Sequence, residues 1–475
     1  MTLLAGHRAA ADTPAVPFRR RERYRLNWRL ARHLAYVHTD RQPRKNPARQ
    51  ERDIENNALT HMSISDWRQF GEVSIRFHPR LTTITGANAS GKSTLIAILA
   101  RHFSWTRIYS SSPARDSDAT RSWANLGPRR MNRWLAEGGQ IAQVGSLQYA
   151  DGGSTAIQVP VTGSSERQGY EVQLRTPQDL AGVFINSHRT LRGNYVVVPS
   201  IPTAMGSAEQ MLEQYTTELR NQWMGQFSKR PSQLALKEGL IAAALFGGFN
   251  LYVDRSPEAT NIWEGFQAVL ANLLPKELGF RRLNVRMPEV VVETTTGDFV
   301  LDEVSGGLSA VIDIAWQIFL KSRDHRNFVV LLDEPENHLH PSLQRELLPG
   351  LLHAFPRAQF IVATHSPFVV TAIADSTVYV LDHDEDRRIT ARRLDYVNMS
   401  ASADETLTRV LGLQSTLPIW AESRYEEILA KHMTGSLTLE QLTALREDLK
   451  ASGLEGDFPD AVSTFIDEQN DRTAQ

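Results

Sequence analysis

The chain has no cysteine among its 475 residues. That excludes disulfides, thiolate metal sites and a cysteine nucleophile, and it fits a reducing compartment. It also lacks an uninterrupted apolar run of the roughly 18 residues that a membrane-spanning helix needs. The nearest stretch, "GLIAAALFGGFNLYV" from Gly239 to Val253, is broken by a glycine pair and reads as a buried helix running into a strand. The amino terminus shows no charged-then-apolar leader. The expectation is a cytoplasmic protein with no membrane partner. Nor is there a large excess of either charge, since the formal net charge is −2. The charge is unevenly spread, however. Residues 1–61 hold 13 Lys and Arg against 6 Asp and Glu, a balance of +7, which leaves −9 for the rest. A basic arm on an acidic body suggests nucleic acid contact. The same residues also read as a solvated tail, or as a start assigned upstream of Met62.

What is present is a sizeable core. Hydrophobic residues make up 41% of the chain, enough for two or three ordinary domains. Strand-like patterning begins after Met62, in "SISDWRQFGEVSIRF", and continues in "LTTIT" up to Gly86. "KSTLIAILARHF" then has helical spacing, with Leu95, Ile98 and Leu99 on one face. Residues 104–130, rich in Ser, Arg and Pro, read as an irregular loop. "GSLQYADGGSTAIQVPV" reads as a hairpin about Asp151, Gly152 and Gly153. Residues 204–275 are helical, and residues 283–301 form a meander turning at Thr296 and Gly297. "VSGGLSAVIDIAWQIFL", "NFVVLLDEP", "PSLQRELLPGLLHAF" and "QFIVATHSP" alternate helix and buried strand. Such alternation predicts an α/β domain with a mixed, largely parallel sheet. The domain boundaries expected are a basic extension over 1–61, an α/β head over 62–400 and a helical tail over 401–475. The head divides into a first lobe (62–200), a helical insertion (201–280) and a second lobe (281–400).

"TGANASGKST", Thr85 to Thr94, carries the first chemistry. It fits G-x-x-x-x-G-K-[ST] with a strand before it and a helix after. Gly86, Ala87, Asn88, Ala89, Ser90 and Gly91 turn backbone N–H groups toward phosphate oxygens. Lys92 reaches the outer phosphates, Ser93 ligates Mg²⁺, and Thr94 continues the helix start. "VVLLDEPE" drives an apolar strand through the core and delivers Asp333, which can hold Mg²⁺, and Glu334, which can activate the attacking water. "VATHSP" ends the next buried strand with Thr364 and with His365, placed to sense the γ-phosphate. "SGGLS" opens a helix, so Ser305, Gly306 and Gly307 offer an anion their N–H groups.

Taken in order, "GANASGKST", "VSGGLS", "VVLLDEPENHLHP" and "FIVATHSP" resemble the ABC-type ATPase head of the SMC and recombination-repair ATPases. They resemble more closely the bacterial ATPases of the overcoming-lysogenization-defect type and of anti-phage operons such as Septu and the retron-associated systems. "EPENHLHP" followed by "ATHSP" is the most specific part, "INSHRTLRGNY" is also similar, and the likeness covers roughly residues 62–400. The resemblance implies a P-loop NTPase fold and two heads that sandwich ATP. Gly86–Thr94, Asp333, Glu334 and His365 would act in cis, and Ser305, Gly306 and Gly307 in trans. It further implies a dimer or larger oligomer with an effector partner, a nuclease or toxin, and DNA as a candidate ligand.

Two departures matter. Residues 100–300 are too short and too interrupted by Gly and Pro for the long coiled coil of SMC proteins. Only about a hundred residues follow His365, which leaves no room for the Toprim nuclease of the overcoming-lysogenization-defect enzymes. The expectation is an ATPase that regulates a separate effector in anti-phage defence. The rivals are a stand-alone DNA-repair ATPase, drawing on Arg129-Arg130, Arg281-Arg282 and Arg387-Arg388, and a nuclease with a metal site at Asp384 and Glu385. The candidates for the glutamine that the resemblance implies between the γ-phosphate and the second lobe are Gln143 and Gln148, and Trp67 and Arg68 stand at the first strand either near a base or ribose or, for Trp67, packed in the core.

Overall fold

The computed structural model describes residues 58–115, 121–124, 140–161, 169–188, 197–226, 231–249, 254–394, 403, 406–410, 415, 417–432, 438–459 and 461–462. The basic arm, Arg129-Arg130 and the stretch from Arg189 to Tyr195 lie outside the described residues. Among the described residues, eleven strands bond into one mixed sheet. Across the sheet they run Gln173–Arg175, Ser154–Pro160, Ile141–Tyr149, Leu59–Trp67, Phe70–Arg76, Ile389–Arg393, Thr377–His383, Leu81–Gly86, Ala358–Ala363, Phe328–Asp333 and Gly182–Ile185.

The last five of these are mutually parallel. Leu81–Gly86, Phe328–Asp333 and Ala358–Ala363 are buried at every residue, as unbroken apolar or threonine-rich runs in a doubly covered parallel sheet should be. The antiparallel half alternates instead. Leu59–Trp67 buries Leu59, Met62, Ile64 and Trp67 and turns intervening residues outward.

Helices cover both faces of the parallel block. Lys92–Leu99 packs Leu95, Ile96, Ile98 and Leu99 against Ile84, Val329 and Leu331. The opposite face carries Ala208–Trp223, Ser232–Gly247, Pro257–Leu273, Gly306–Asp324 and Pro341–Ala354. The inserted helices are not a separate body. Leu212, Leu240 and Phe266 share one core with Trp316 and Val330, and the Phe266 and Trp316 rings meet edge-on at 4.8 Å. A reciprocal Ser207–Gln210 box fixes where the first of them starts.

Three details differ from the sequence reading. The first strand starts at Leu59, three residues before Met62. Its Leu59 is held by the buried Gln359, whose Oε1 accepts from the Leu59 N–H at 2.9 Å and whose Nε2 donates to the Leu59 carbonyl at 2.8 Å. The loop expected over 104–130 contains paired strands: Ile108–Ser110 joins Gly169–Glu171, and Ser112–Arg115 joins Arg121–Ala124. The meander is present as expected but begins at Phe280, three residues before Leu283, as a three-stranded sheet of Phe280–Arg286, Glu289–Thr294 and Asp298–Val300.

In the tail, Ile419–His432 and Leu439–Ala451 pack around their own cluster of Ile428, Leu429, Leu445 and Leu449. No described helix exceeds the 19 residues of Gly306–Asp324, so no long coiled coil is present among the described residues. None is long and apolar enough to cross a membrane.

Candidate active site

Parallel strands end together. Asp333 pairs with Ala363, and Ala363 with Ile84. The carboxyl ends of three neighbouring strands therefore deliver the phosphate loop, Asp333 with Glu334, and Thr364 with His365 to one rim. That rim is where open α/β sheets bind ligands.

The loop has the backbone its glycines permit. Gly86 stands at φ +145° and Gly91 at φ +88°, with Ala89 left-handed at +65°. A β-carbon on Gly91 would lie 2.5 Å from the Phe70 ring, and one on Gly86 would lie 2.5 Å from the Leu381 carbonyl oxygen. Both positions therefore exclude a side chain on two grounds, conformation and space. Gln69 Nε2 donates to the Ala89 carbonyl at 2.7 Å, tying the turn after the first strand to the loop. Ala87, Asn88 and Ala89 face solvent, whereas Ser90 is buried with its hydroxyl unpartnered.

Lys92 is buried and its Nζ donates to the Gly86 and Ala87 carbonyls, both at 2.9 Å. Burial lowers its pKa, while the charges of Glu334, Asp333 and Glu336 pull it back up. Ser93 Oγ donates to Asp333 Oδ1 at 3.0 Å. Asp333 is buried, and desolvation pushes its carboxyl up to about 6, against the Ser93 bond and Arg107 and with the help of Glu334 and Glu336. A hydroxyl against a buried carboxylate starved of solvation is a donor set that fits Mg²⁺.

Glu334 follows the strand in the left-handed region, φ +47°, with its N–H donating to the Ala363 carbonyl at 2.8 Å. A non-glycine residue there is strained, and such strain concentrates at working sites. Asn337 Nδ2 donates to Glu334 Oε2 at 3.1 Å and to the Ser187 carbonyl at 3.4 Å. His365, half-exposed, sets Nδ1 3.7 Å from Glu334 Oε1.

The residue that sequence reasoning passed over is Glu336, which is buried. Its Oε1 accepts from the Thr364 hydroxyl at 2.6 Å and the His365 N–H at 2.9 Å, and lies 3.4 Å from His365 Nδ1. Its Oε2 has no partner. The signal was in view, as a second glutamate two places beyond Glu334.

The other candidates distribute as follows. Gln143 and Gln148 lie on Ile141–Tyr149, with six strands between it and Phe328–Asp333. A buried amide, Asn186, stands next after Ile185, which pairs with Leu332. Trp67 is core, its Nε1 donating to the Tyr170 hydroxyl at 3.1 Å, while the Arg68 guanidinium lies 5.4 Å above the Tyr109 ring. Asp384 caps its own hairpin by accepting from the Arg388 N–H at 2.7 Å, and no metal-binding cluster of His, Asp and Glu occurs among the described residues. Ser305 and Gly306 are exposed at the start of Gly306–Asp324. A β-carbon on Gly307 would meet the His338 carbonyl at 2.9 Å. Among the described residues no hydrogen bond joins Ser305–Gly307 to Gly86–Thr94.

Comparison with known proteins points the same way. Residues 61–167 match an AAA domain, and residues 270–371 match the AAA domain described as a putative AbiEii toxin of a type IV TA system. Septu protein PtuA of Bacillus thuringiensis is 27% identical over 167 residues, 32% of this chain and 42% of that protein. Its namesake in Bacillus mycoides is 30% identical over 157 residues, 31% of this chain and 22% of that one. The Retron Ec83 probable ATPase of Escherichia coli is 32% identical over 118 residues, 22% of each. The chain thus spans less than half the length of these relatives. Among solved structures, an Smc head domain from Pyrococcus yayanosii overlaps 72% of this chain and 98% of its own at 12% identity, with a TM-score of 0.39.

Proposed function

We propose that this chain, whose two AAA-domain matches and partial likeness to the Septu and retron ATPases support a P-loop ATPase, hydrolyses ATP with Mg²⁺ between two paired heads and so regulates a partner effector, a nuclease or toxin, in anti-phage defence. The observation that carries the reading is the 3.0 Å bond from Ser93 to Asp333, with strained Glu334 next in the chain and facing His365.

In this reading the loop N–H groups and Lys92 hold the phosphate chain, Lys92 leaving the Gly86 and Ala87 carbonyls to do so. Ser93 and Asp333 hold Mg²⁺, which offsets charge on the phosphate oxygens. Glu334, oriented by Asn337, takes a proton from the attacking water. His365, anchored through its N–H to Glu336, contacts the γ-phosphate. Ser305, Gly306 and Gly307 close on the ATP of the other head: they open the Gly306–Asp324 helix, Ser305 and Gly306 are exposed, and among the described residues no hydrogen bond ties them to Gly86–Thr94. Hydrolysis removes the shared ligand and reopens the pair.

The test is to purify the tagged chain from its native host with ATP and Mg²⁺ and identify what accompanies it by mass spectrometry. A stoichiometric nuclease or toxin, released by the Lys92→Ala variant, is the expected result. DNA retained without any such protein would overturn the effector reading.

A further inference from the structure

The Ser232–Gly247 helix buries a single charged residue. Lys237 is 1% exposed. Its Nζ donates to Glu289 Oε2 at 2.7 Å and to Asp302 Oδ2 at 2.6 Å. Glu289 opens the central strand of the three-stranded sheet, and Asp302 sits in the Leu301–Glu303 turn that feeds Ser305. One ammonium therefore joins three segments that are far apart in sequence: the inserted helices, the small sheet and the approach to Ser305–Gly307.

Charge balance makes the arrangement informative. A buried cation needs one anion, and a second buried carboxylate adds desolvation cost without being required for neutrality. Here the second carboxylate is retained, and it lies three residues from Ser305. On both sides of it the chain is already anchored by Leu301 and Val304, which belong to the core. Apolar anchoring fixes where the turn sits but leaves its orientation free, since dispersion contacts are not directional. A short charge-assisted hydrogen bond is directional.

We infer that Lys237 is a positioning residue for the Ser305–Gly307 segment, holding it through Asp302 in the orientation that receives the opposite head's ATP. This rests on the reading that Ser305–Gly307 acts in trans. The inserted helices thereby gain a lever on the composite site, since any tilt of Ser232–Gly247 moves the Nζ on which the turn hangs.

Two carboxamide variants separate this role from general stability. Asp302→Asn leaves Lys237 paired with Glu289, and Glu289→Gln leaves it paired with Asp302. Each keeps a balanced buried pair and should fold, as a melting curve would register. Head pairing is read by sedimentation with ATP and Mg²⁺, in a Glu334→Gln background that blocks turnover. ATP binding in cis is read on dilute protein with a fluorescent ATP analogue.

Asp302→Asn is expected to weaken ATP-driven pairing about tenfold or more while cis binding stays unchanged, a size typical of coupling between sites. Glu289→Gln is expected to pair close to wild type. Equal pairing in the two variants, whether both normal or both weakened, overturns the inference. If either variant does not fold, the uncharged triple variant Lys237→Met, Glu289→Gln, Asp302→Asn replaces it, and normal pairing there overturns the inference equally. Ser305→Arg serves as the control for the premise. Normal pairing in that variant would refute the trans reading itself, whereas loss in Ser305→Arg with normal pairing in Asp302→Asn would refute the positioning role alone.

Discussion

Replacing Asp333 by Asn should stabilise the nucleotide-free protein while abolishing its chemistry. Burial raises the Asp333 carboxyl from 3.8 to about 6. For an acid, a raised pKa means that the folded state holds the proton more tightly than the unfolded chain. Its stabilising influence is therefore full below the unfolded value and is lost as pH rises through about 6. At pH 7 the folded protein carries a carboxylate that would be better solvated unfolded. A shift of about two units corresponds to a cost of roughly 3 kcal/mol. Asn removes the charge, keeps an oxygen to accept the 3.0 Å bond from Ser93, and alters the volume little.

Urea denaturation followed by tryptophan fluorescence should show Asp333→Asn more stable by about 3 kcal/mol at pH 7, by about half that at pH 5, and barely at pH 4. Addition of ATP and Mg²⁺ should reverse the order, because only the parent gains stability from the ligand. An equal gain at pH 7 and pH 4, or no gain at either, would refute burial as the cause of the shift.

Glu334→Gln should leave ATP binding intact and lower single-turnover hydrolysis about 100-fold or more, the span of a lost general base; unchanged turnover would move that role elsewhere. Gly91→Ala, forced to φ +88° and into the Phe70 ring, should lose nucleotide binding, measured by titration with a fluorescent ATP analogue. Glu336→Ala frees Thr364 and the His365 N–H, and should lower kcat about 100-fold with little change in KM, because it disturbs alignment rather than binding. A chain begun at Met62 loses buried Leu59 and two bonds to Gln359, and should unfold at lower urea by about 4 kcal/mol of stability.

The placement of the candidate site was legible because each part of it is local. A run of buried residues ending in a polar one, as in "VVLLDE" or "IVATH", states both the strand and its reactive end. The phosphate loop needs only its own glycines and the helix that follows. What was illegible depends on residues distant in sequence. Nothing near Gly91 announces Phe70, and nothing near Leu59 announces Gln359, three hundred positions away. Asn186 was missed for a related reason. Its place at the rim follows from which strand borders Phe328–Asp333, a pairing that nothing near Asn186 in sequence announces. Glu336 lay inside the most specific motif, but its role appears only when the neighbouring strand places Thr364 and His365 against it. The short strands between Ile108 and Ala124 pair in part with Gly169–Glu171, beyond the reach of local propensity.

The sheet order also governs how this chain can be made. Leu81–Gly86 lies between Ala358–Ala363 and Thr377–His383, so both of its neighbours are translated roughly 270 residues or more after it. Until then the phosphate-loop strand leaves the ribosome with two open edges and three threonines in six residues, the kind of strand that invites pairing with another chain. A product interrupted before Ala358 would contain every residue of the phosphate loop and still have no ATP site. Completion of the nucleotide pocket is thus a late event in biosynthesis, and nascent chains of this protein should depend on chaperones over most of their length.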